Sequence, residues 1–290
     1  FIEKLKENET FIIPSYSTVR SILMKEKLVE EPKKRKKRSH PRRKRYEKEG
    51  LMVQIDGSHH HWIYGLGAIC LTLAIDDATG KLLAGKFTKT ETTFAAMDVV
   101  EEIIKTKGVF HMLYSDRAGI YGGGKRDGYS NMNRAMEELG IIPIQAGSPQ
   151  AKGRVERAFR TLQDRLISEM RLAGIKSLDE GNDYFKNTFI TYFNDKFGVE
   201  PVVKETGYRE LDKSIVLDNL FCQLYTRVIQ NGEVVSFQGS KYIVKSNDKY
   251  SNVNRQIEVK CYRNGELKMF LENIELEYDV FSDVVDKLAA

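Results

Sequence analysis

The pattern of apolar and polar positions divides the chain into a helical beginning, a mixed central region and a strand-rich end. Residues 15–29 place apolar side chains at helical spacing behind Ser15 or Ser17, either of which can cap a short helix. From residue 51 the spacing becomes that of strands, and the nearly continuous apolar run Leu66–Ile75 is typical of a strand buried on both faces. Helices and strands then alternate, which predicts a mixed α/β sheet.

The elements of the central region follow from this pattern. They are strands at 51–56, 66–75 and 81–87, a helix at 92–105, a strand at 109–115, a helix at 131–139, a strand at 141–144 and a long helix from 149. Ser148 can cap the long helix, and Pro149 fits its first position, where no N–H is needed. The helix should bury one apolar stripe at steps of three and four: Val155, Phe159, Leu162, Leu166 and Met170.

The rest of the chain adds a connector and a β-rich unit. A further helix is predicted at 178–196, and from about residue 216 short strands separated by glycine turns predict a small all-β barrel. The predicted division is 1–32, the end of a helix-turn-helix region; 33–48, a basic DNA-binding linker; 49–175, the α/β core; 176–215, a helical connector; 216–280, the barrel; and 281–290, a tail.

The net charge of +5 hides a strong segregation of charge. Residues 33–45 carry ten cations and no acid, whereas the rest of the chain has 36 cations against 41 acids. The basic run has no apolar residue with which to pack, so we expect an extended tether that reaches about 45 Å and contacts DNA phosphates. A solvated linker or a localisation signal is the alternative.

Cysteine usage and hydropathy exclude several protein classes. Cys70, Cys222 and Cys261 are scattered and form no Cys-x-x-Cys pair, which argues against a disulfide framework or a zinc ribbon and favours a reducing, intracellular setting. The longest apolar run, Ile63–Ile75, contains two glycines and is too short to span a bilayer. The chain begins without a secretory core and without Met, so we expect upstream sequence and no membrane partner.

Three acids at the ends of predicted core elements form the candidate chemistry. Asp56 closes the first strand, Asp116 closes the fourth, and Glu156 lies on the long helix. If the first and fourth strands are neighbours, their ends meet, and a helix that crosses them can add the third carboxylate. Three hard oxygen ligands without a nearby cysteine favour Mg²⁺ or Mn²⁺ over zinc, and two such ions about 4 Å apart can drive phosphodiester chemistry.

Four motifs connect these acids to a known family. They are Gln54–Trp62, Ala74–Gly80, Tyr114–Arg117 and Ala146–Arg157. The order Asp, Asp, Glu, with the glutamate after Ser-Pro-Gln-x-Lys-Gly, resembles the DDE transposase and retroviral integrase superfamily. The residue sequences of these motifs are most similar to those of bacterial insertion-sequence transposases of the ISNCY kind, and the likeness covers about residues 15–278.

The resemblance implies an RNase H-like mixed five-stranded sheet with flanking helices, an SH3-like C-terminal barrel and an N-terminal helical remnant that binds DNA. By position, Asp56, Asp116 and Glu156 become the catalytic ligands of Mg²⁺ or Mn²⁺, with two ions expected. The implied activity is 3′-end cleavage and strand transfer on double-stranded DNA by a homodimer or larger assembly, in the bacterial cytoplasm at the nucleoid. The 39 residues between Asp116 and Glu156 exceed the spacing familiar in retroviral integrases, and no His/Cys zinc module precedes the core.

Cations near the acids and in the tether are the candidate DNA contacts. Their crowding around Glu156 favours phosphate contact over a solvated helix face, and His60 matches a family position that touches substrate or orients a carboxylate. The full predicted set is Lys33, Lys34, Arg35, Lys36, Lys37, Arg38, Arg42, Arg43, Lys44, Arg45, His60, Arg117, Lys152, Arg154, Arg157 and Arg160.

Several neighbouring residues are assigned ordinary structural roles. Asp76 and Asp77 precede Thr-Gly, where aspartate commonly bonds its own backbone, so we predict turn roles for them rather than catalysis. Consecutive histidines in a strand alternate sides, so His59 and His61 are predicted to be surface or packing residues. Trp62 is predicted to lie in the core.

Two other functions remain open. One is a different nuclease on the same fold, such as an RNA–DNA hybrid or junction nuclease, against which the basic tether and the barrel argue. The other is a non-catalytic DNA-binding protein derived from a transposase, which the presence of all three acids disfavours. Arg227, Lys241 and Lys245 of the barrel suit DNA contact and protein contact equally well.

Overall fold

The computed structural model of the chain describes residue 2 and residues 14–29, 43–116, 118–122, 130–145, 153–245 and 251–281. The chain divides into two compact units, Phe1–Arg43 and Lys44–Ala290. In the first unit, helix α1 (Tyr16–Lys25) begins after Ser15, whose hydroxyl oxygen accepts a hydrogen bond from the Thr18 N–H at 3.3 Å. The predicted short helix is confirmed, with Ser15 as its cap.

The second unit contains a five-stranded sheet of mixed direction. Its strands are β1 (Met52–His60), β2 (Ile69–Asp76), β3 (Leu82–Thr88), β4 (Met112–Ser115) and β5 (Ile142–Gln145). They lie in the order β3-β2-β1-β4-β5, in which β1, β2 and β3 form an antiparallel meander and β4 pairs parallel with both β1 and β5. The predicted mixed sheet is confirmed, since each strand forms within a few residues of its expected position.

Helices cover both faces of this sheet. They are α2 (Thr93–Thr106), α3 (Asn131–Glu138), α4 (Val155–Leu172), α5 (Leu178–Tyr184) and α6 (Ile190–Phe197), and a short helix α7 (Leu217–Leu220) follows. On one face α2 and α3 pack on Val53 and Ile55, and on the other α4 and the α5–α6 segment pack on Leu71 and Leu73. The predicted apolar stripe of α4 is buried along its whole length. Within the described part of the chain, no helix has both the length and the apolar sequence needed to cross a bilayer.

The helix predicted at 178–196 contains a π-helical turn. Residues 185–189 join α5 to α6 without a break in the helical backbone. The side chains of Asn182 and Asn194 each accept a hydrogen bond from a backbone N–H of β3 at 2.7 Å. The segment therefore covers the free edge of β3, which protects that edge from pairing with another chain.

Among the residues that the structure describes, seven strands form a separate β-unit after α7. They are β6 (Gln223–Val228), β7 (Val234–Phe237), β8 (Ser240–Val244), β9 (Gln256–Cys261), β10 (Leu267–Leu271), β11 (Ile274–Leu276) and β12 (Tyr278–Val280). They form a four-stranded sheet, β11-β10-β9-β6, and a three-stranded sheet, β12-β8-β7, around one hydrophobic cluster that includes Val235 and Met269. The sequence prediction missed β11 and β12, because no glycine separates these two short strands.

Two arginines hold the β-unit on the core. Arg134 on α3 donates to two carbonyl oxygens of the segment that leads into β6, each at 2.7 Å. Arg263 pairs with Asp98 at 2.7 Å and also with Glu101, both on α2. Because Glu101 is 4% exposed, this contact is part of the interior of the second unit.

Candidate active site

Asp56 lies where β1 leaves its parallel partner. β1 continues to His60, so Asp56 is inside the strand and does not close it, which corrects the sequence prediction. The sequence analysis ended the strand too early because polar histidines follow Asp56. Pairing with β4 covers only Met52–Gln54, and burial along β1 changes from complete to partial at Asp56. The carboxylate is therefore half-buried, beyond the end of the neighbouring strand.

Asp116 directly follows β4, and the strand register places it beside Asp56. Gln54 is paired with Tyr114 in the parallel ladder, so two more residues along both chains bring the two aspartates to one level. Neighbouring strands lie about 4.8 Å apart. Each carboxylate also accepts a hydrogen bond from a nearby backbone N–H, at 3.0 Å for Asp56 and 2.8 Å for Asp116. The parallel register agrees with the predicted meeting of these two chain positions, which remains a prediction for the side chains.

Glu156 stands in the first turn of α4, over one face of the same sheet. The backbone N–H of Val155 donates to Oε1 of Gln54 at 3.3 Å, which attaches the start of the helix to β1. Side chains alternate along a strand, so Asp56 is directed to the same face as Gln54. Glu156 is half-buried, and a carboxylate in the first turn also compensates the positive end of the helix dipole.

The three acids do not form a complete metal-ligand cluster in this conformation. Within the part of the chain that the structure describes, no group of three acids, histidines or cysteines is close enough to hold an ion. The register of β1 and β4 carries Asp56 and Asp116 to the same end of two neighbouring strands, and Glu156 lies in the first turn of the helix attached to β1. The donors are carboxylate oxygens, which suit a hard cation such as Mg²⁺. The residues therefore fit the expected cation in the chemistry of their donor atoms.

Glu91 is a further carboxylate beside this pair, and no sequence motif marked it. A Cβ added to Gly57 would fall 2.6 Å from Oε1 of Glu91, so this carboxylate packs against the residue that follows Asp56. The hydroxyl of the buried Tyr121 lies within the electrostatic influence of the same carboxylates. Burial raises the pKa of the Tyr121 hydroxyl, and the charges of Glu91, Asp56 and Asp116 raise it further.

Asp76 has the turn role that the sequence predicted. Its carboxylate accepts hydrogen bonds from the Thr79 N–H at 2.7 Å, from the Thr79 hydroxyl at 2.8 Å and from the Gly50 N–H at 2.9 Å. Burial raises the pKa of Asp76, and the hydrogen bonds from Gly50 and Thr79 oppose that rise. Asp76 therefore closes the β2–β3 turn.

Asp77 has a wider role than a turn. Its Oδ1 accepts a hydrogen bond from Gln54 Nε2 at 2.6 Å and pairs with Arg154 Nη1 at 2.7 Å, and its Oδ2 accepts one from the Tyr46 N–H at 3.1 Å. Arg154 was predicted to contact DNA, but its side chain is only 13% exposed and lies on the fully buried Asp77 carboxylate. Sequence reasoning could not reveal this pair, because its members are 77 positions apart.

Other cations near α4 line a surface cavity. Arg45, Arg154 and Arg157 border about 130 Å³ of space between α4 and the α5–α6 segment, next to Gly80. Arg157 and Arg160 are exposed on α4. The exposed side of the helix that carries Glu156 is therefore cationic.

The remaining predicted residues are placed as follows. His60 is half-buried with its ring 5.5 Å from that of Trp62, and its Nδ1 has no hydrogen-bond partner among the described residues. His59 and His61 are exposed and Trp62 is buried, as predicted. Arg43 and Lys44 are exposed. Outside the described residues lie Lys33, Lys34, Arg35, Lys36, Lys37, Arg38, Arg42, Arg117, Lys152 and the helix-start pair Ser148 and Pro149.

Comparison with known sequences finds relatives along most of the chain. The chain is 35% identical over 257 residues to the putative transposase y4bF of Sinorhizobium fredii, which covers 86% of this chain and 56% of the relative. It is 33% identical over 247 residues to the transposase for insertion sequence IS1202 of Streptococcus pneumoniae, which covers 83% and 50%. The chain thus spans about half the length of these curated relatives. No family model matches it.

Three solved retroviral structures are similar to parts of the chain. The catalytic core domain of BIV integrase covers 52% of this chain and 87% of its own, with a TM-score of 0.39 and 19% identity. The HTLV-2 integrase catalytic core in complex with magnesium covers 56% and 93%, with a TM-score of 0.41 and 16% identity. A chain of the simian T-cell lymphotropic virus intasome covers 84% and 82%, with a TM-score of 0.44 and 13% identity.

Proposed function

We propose that this chain, a relative of insertion-sequence transposases, is the catalytic part of a DNA transposase that cleaves and joins DNA at transposon ends. The observation that supports the proposal is the parallel pairing of Gln54 with Tyr114, each two residues before one of the two aspartates, on the sheet to which the first turn of the Glu156 helix is attached. The sequence similarity to two transposases supports the same activity.

In this proposal Asp56, Asp116 and Glu156 hold two divalent cations, Mg²⁺ or Mn²⁺. Bound cations of this kind activate the attacking water or 3′-hydroxyl and stabilise the leaving oxygen of a phosphodiester. The part of the protein is to keep two carboxylates at a fixed spacing on paired strands and to supply the third from a helix. Among the described residues no three such groups lie close enough together to hold an ion in this conformation, so we expect the complete site to assemble when DNA and cation bind.

The proposed DNA surface combines the exposed side of α4 with the end of the basic linker. Arg157 and Arg160 are exposed on α4, and Arg45 borders the same cavity as Arg157. Phosphate contacts from such residues position a duplex without reading its sequence. His60, Arg117, Lys152 and the other linker cations belong to the same proposal.

The proposal extends to the remaining parts of the molecule. Helix α1 is proposed to be the remnant of a DNA-reading domain, and the C-terminal β-unit to be an SH3-like barrel. Two or more copies would act together on the two ends of the transposon, in the bacterial cytoplasm at the nucleoid.

The test uses the purified chain, duplexes copied from the terminal sequences of the DNA element that encodes it, and a supercoiled target plasmid. With Mg²⁺ we expect 3′-end cleavage and joined products, and without a divalent cation we expect neither. Asp116→Asn and Glu156→Gln should abolish both reactions while duplex binding persists. Glu137→Gln, at an exposed acid of α3, is the matched control and should retain activity.

Other outcomes select the other functions. Cleavage of an RNA–DNA hybrid or a junction without any joined product would indicate a different nuclease on the same fold. Duplex binding without processing under any cation would indicate a non-catalytic DNA-binding protein. An unchanged reaction in Asp116→Asn would show that the three-carboxylate mechanism is wrong.

A further inference from the structure

We propose that Asp77 is a positioning residue that sets the place of Glu156 relative to Asp56. This inference rests on the proposed function, because it assumes that these two carboxylates act together. The proposed device consists of Asp77, Gln54 and Arg154, called here the buried hub. The hub joins the β2–β3 turn, strand β1 and the start of α4 through the hydrogen bonds and the ion pair of these three side chains.

The hub is centred on a carboxylate with no exposure to solvent. Asp77 is 0% exposed, and its Oδ1 accepts hydrogen bonds from Gln54 Nε2 at 2.6 Å and Arg154 Nη1 at 2.7 Å. A buried charge is tolerated only when it is paired and hydrogen-bonded, so Arg154 and Gln54 are held to Asp77 strongly. The carboxylate thereby fixes the two side chains relative to each other.

Gln54 connects the hub to both candidate catalytic acids. Its Nε2 donates to Asp77, while its Oε1 accepts the Val155 N–H at 3.3 Å. These two partners also fix which way the amide group points. Gln54 is two residues before Asp56 on β1, and Val155 directly precedes Glu156 on α4. Gln54 therefore links the strand segment that carries Asp56 directly to the helix start that carries Glu156.

At the start of α4 the hub supplies contacts to other parts of the sheet, and Arg157 Nε donates to the Gly153 carbonyl oxygen at 3.2 Å within the same segment. The residue before its first turn is Arg154, which is in the right-handed helical conformation and makes no side-chain cap. The apolar stripe holds the helix axis against the sheet, but it fixes the rotation and slide of the first turn less closely than directional hydrogen bonds do. A displacement of about 1 Å of a catalytic group can lower a rate about 100-fold. The hub is therefore placed to control the geometry on which the proposed chemistry depends.

The same observations assign Arg154 to positioning and leave DNA contact to its neighbours. Its side chain is 13% exposed and is neutralised by Asp77, whereas Arg157 and Arg160 on the following turns are exposed. A phosphate contact by Arg154 would require it to leave a buried carboxylate without its cation, which is strongly unfavourable.

The test compares Asp77→Asn, Arg154→Gln and Arg154→Lys with the unchanged chain in three measurements. They are the strand-transfer rate at saturating end duplex, duplex affinity across a salt series, and Mn²⁺ binding to the protein–duplex complex by electron paramagnetic resonance. For Asp77→Asn and Arg154→Gln we expect the rate to fall about 10- to 100-fold and Mn²⁺ affinity to fall several-fold, with duplex affinity within about threefold. Arg154→Lys keeps the charge and should recover part of both losses.

Glu101→Gln is the matched control for a simple loss of stability. Glu101 is also buried and paired with two cations, Lys105 and Arg263, and it lies on α2, on the other face of the sheet from α4. Its replacement should lower the free energy of unfolding without changing Mn²⁺ affinity. If Asp77→Asn does not fold, the two Arg154 variants and the same three measurements decide the question.

The outcomes separate this inference from the proposed function. If Asp116→Asn leaves strand transfer unchanged, the proposed function fails. If Asp116→Asn abolishes strand transfer but the hub variants keep a normal rate and normal Mn²⁺ affinity, only this inference fails. It also fails if Arg154→Gln weakens duplex binding and reduces the salt slope by about one while Mn²⁺ affinity is unchanged, because Arg154 would then be a phosphate contact.

Discussion

Two pairs of aspartates in the core sheet differ in burial, partners and neighbouring charge. Asp76 and Asp77 are adjacent in the chain, 0% exposed, and surrounded by hydrogen-bond donors. Asp56 and Asp116 are far apart in the chain, half-buried, and brought to one level only by the parallel pairing of β1 with β4. The first pair is fully enclosed by the fold, whereas the second is partly exposed to solvent.

The charges around the two pairs explain this difference. Asp77 is neutralised by Arg154, so its burial is compensated. Asp56 and Asp116 lie beside each other and near Glu91, which places like charges together at the end of a strand. A divalent cation that binds among these carboxylates reduces the repulsion between their like charges. Partial exposure next to other carboxylates is therefore the better mark of a ligand-binding acid than burial is.

The largest effect is expected when one member of the second pair is neutralised. Asp56→Asn should lower strand transfer at least about 1000-fold, since it removes a proposed cation ligand. The free energy of unfolding should stay the same or rise slightly, because repulsion between like charges is reduced. Product analysis on gels and urea denaturation measure the two effects. A clear loss of stability with activity retained would place Asp56 among the structural acids.

The converse change removes a member of the first pair. Asp76→Ala should lower the free energy of unfolding by about 3 kcal/mol, because it leaves the buried N–H groups of Gly50 and Thr79 without their acceptor. Urea denaturation followed by circular dichroism measures the change. Asp76→Asn keeps one acceptor oxygen and should cost less. Unchanged stability in Asp76→Ala would mean that the buried hydrogen bonds of Asp76 do not stabilise the fold.

Glu101 extends the comparison to a buried acid away from both pairs. Burial opposes its ionisation, but hydrogen bonds from Lys105 and Arg263 together hold the pKa of Glu101 below its ordinary value. A lowered pKa adds stability above the unfolded-state value of 4.5, and this stability is lost as the pH falls through the folded-state pKa. Glu101→Gln should therefore cost about 1.5 kcal/mol at neutral pH, and the difference should close in acid. If the difference in free energy of unfolding between Glu101→Gln and the unchanged chain is constant across pH, the pairing of Glu101 with Lys105 and Arg263 is contradicted.

The smallest effects are expected for the exposed arginines of α4. Arg154 is paired with a buried acid, whereas Arg157 and Arg160 are exposed. Arg157→Gln and Arg160→Gln, at exposed positions, should each weaken duplex binding a few-fold and reduce the log–log salt slope by about 0.9. The strand-transfer rate at saturating duplex should be nearly unchanged. Fluorescence anisotropy across a salt series measures the slope. An unchanged slope in the double variant would remove these two residues from the proposed DNA surface.

Much of the fold could be predicted from the sequence, because its signals are local. Alternating strand and helix patterns located the five strands of the sheet, and the stripe of α4 was correct at every position from Val155 to Met170. Residue type alone identified Ser15 and Ser17 as candidate helix caps, and Ser15 is the one that caps the helix. These features depend on residues within a few positions of each other, which is the range over which periodicity and capping operate.

Three features of the site were missed or misplaced for one reason, which is that a polar residue was judged by its immediate neighbours. The end of β1 was placed at Asp56 because three histidines follow it, although the strand continues to His60. Arg154 was assigned to DNA because it lies in a basic segment, although its partner Asp77 is supplied by another part of the sheet. Glu91 drew no attention, because nothing nearby in the sequence indicates that it packs on Gly57.

The sequence by itself determined which elements form and which three acids are the candidates for catalysis, since periodicity and short motifs require no knowledge of distant contacts. Only the tertiary structure decided that Asp56 and Asp116 share one level, that Arg154 lies on Asp77, and that Gln54 connects β1 to the start of α4. The physical reason is that the environment of a charged or polar side chain depends on its partners in space. Those partners are supplied by strands and turns tens of residues away.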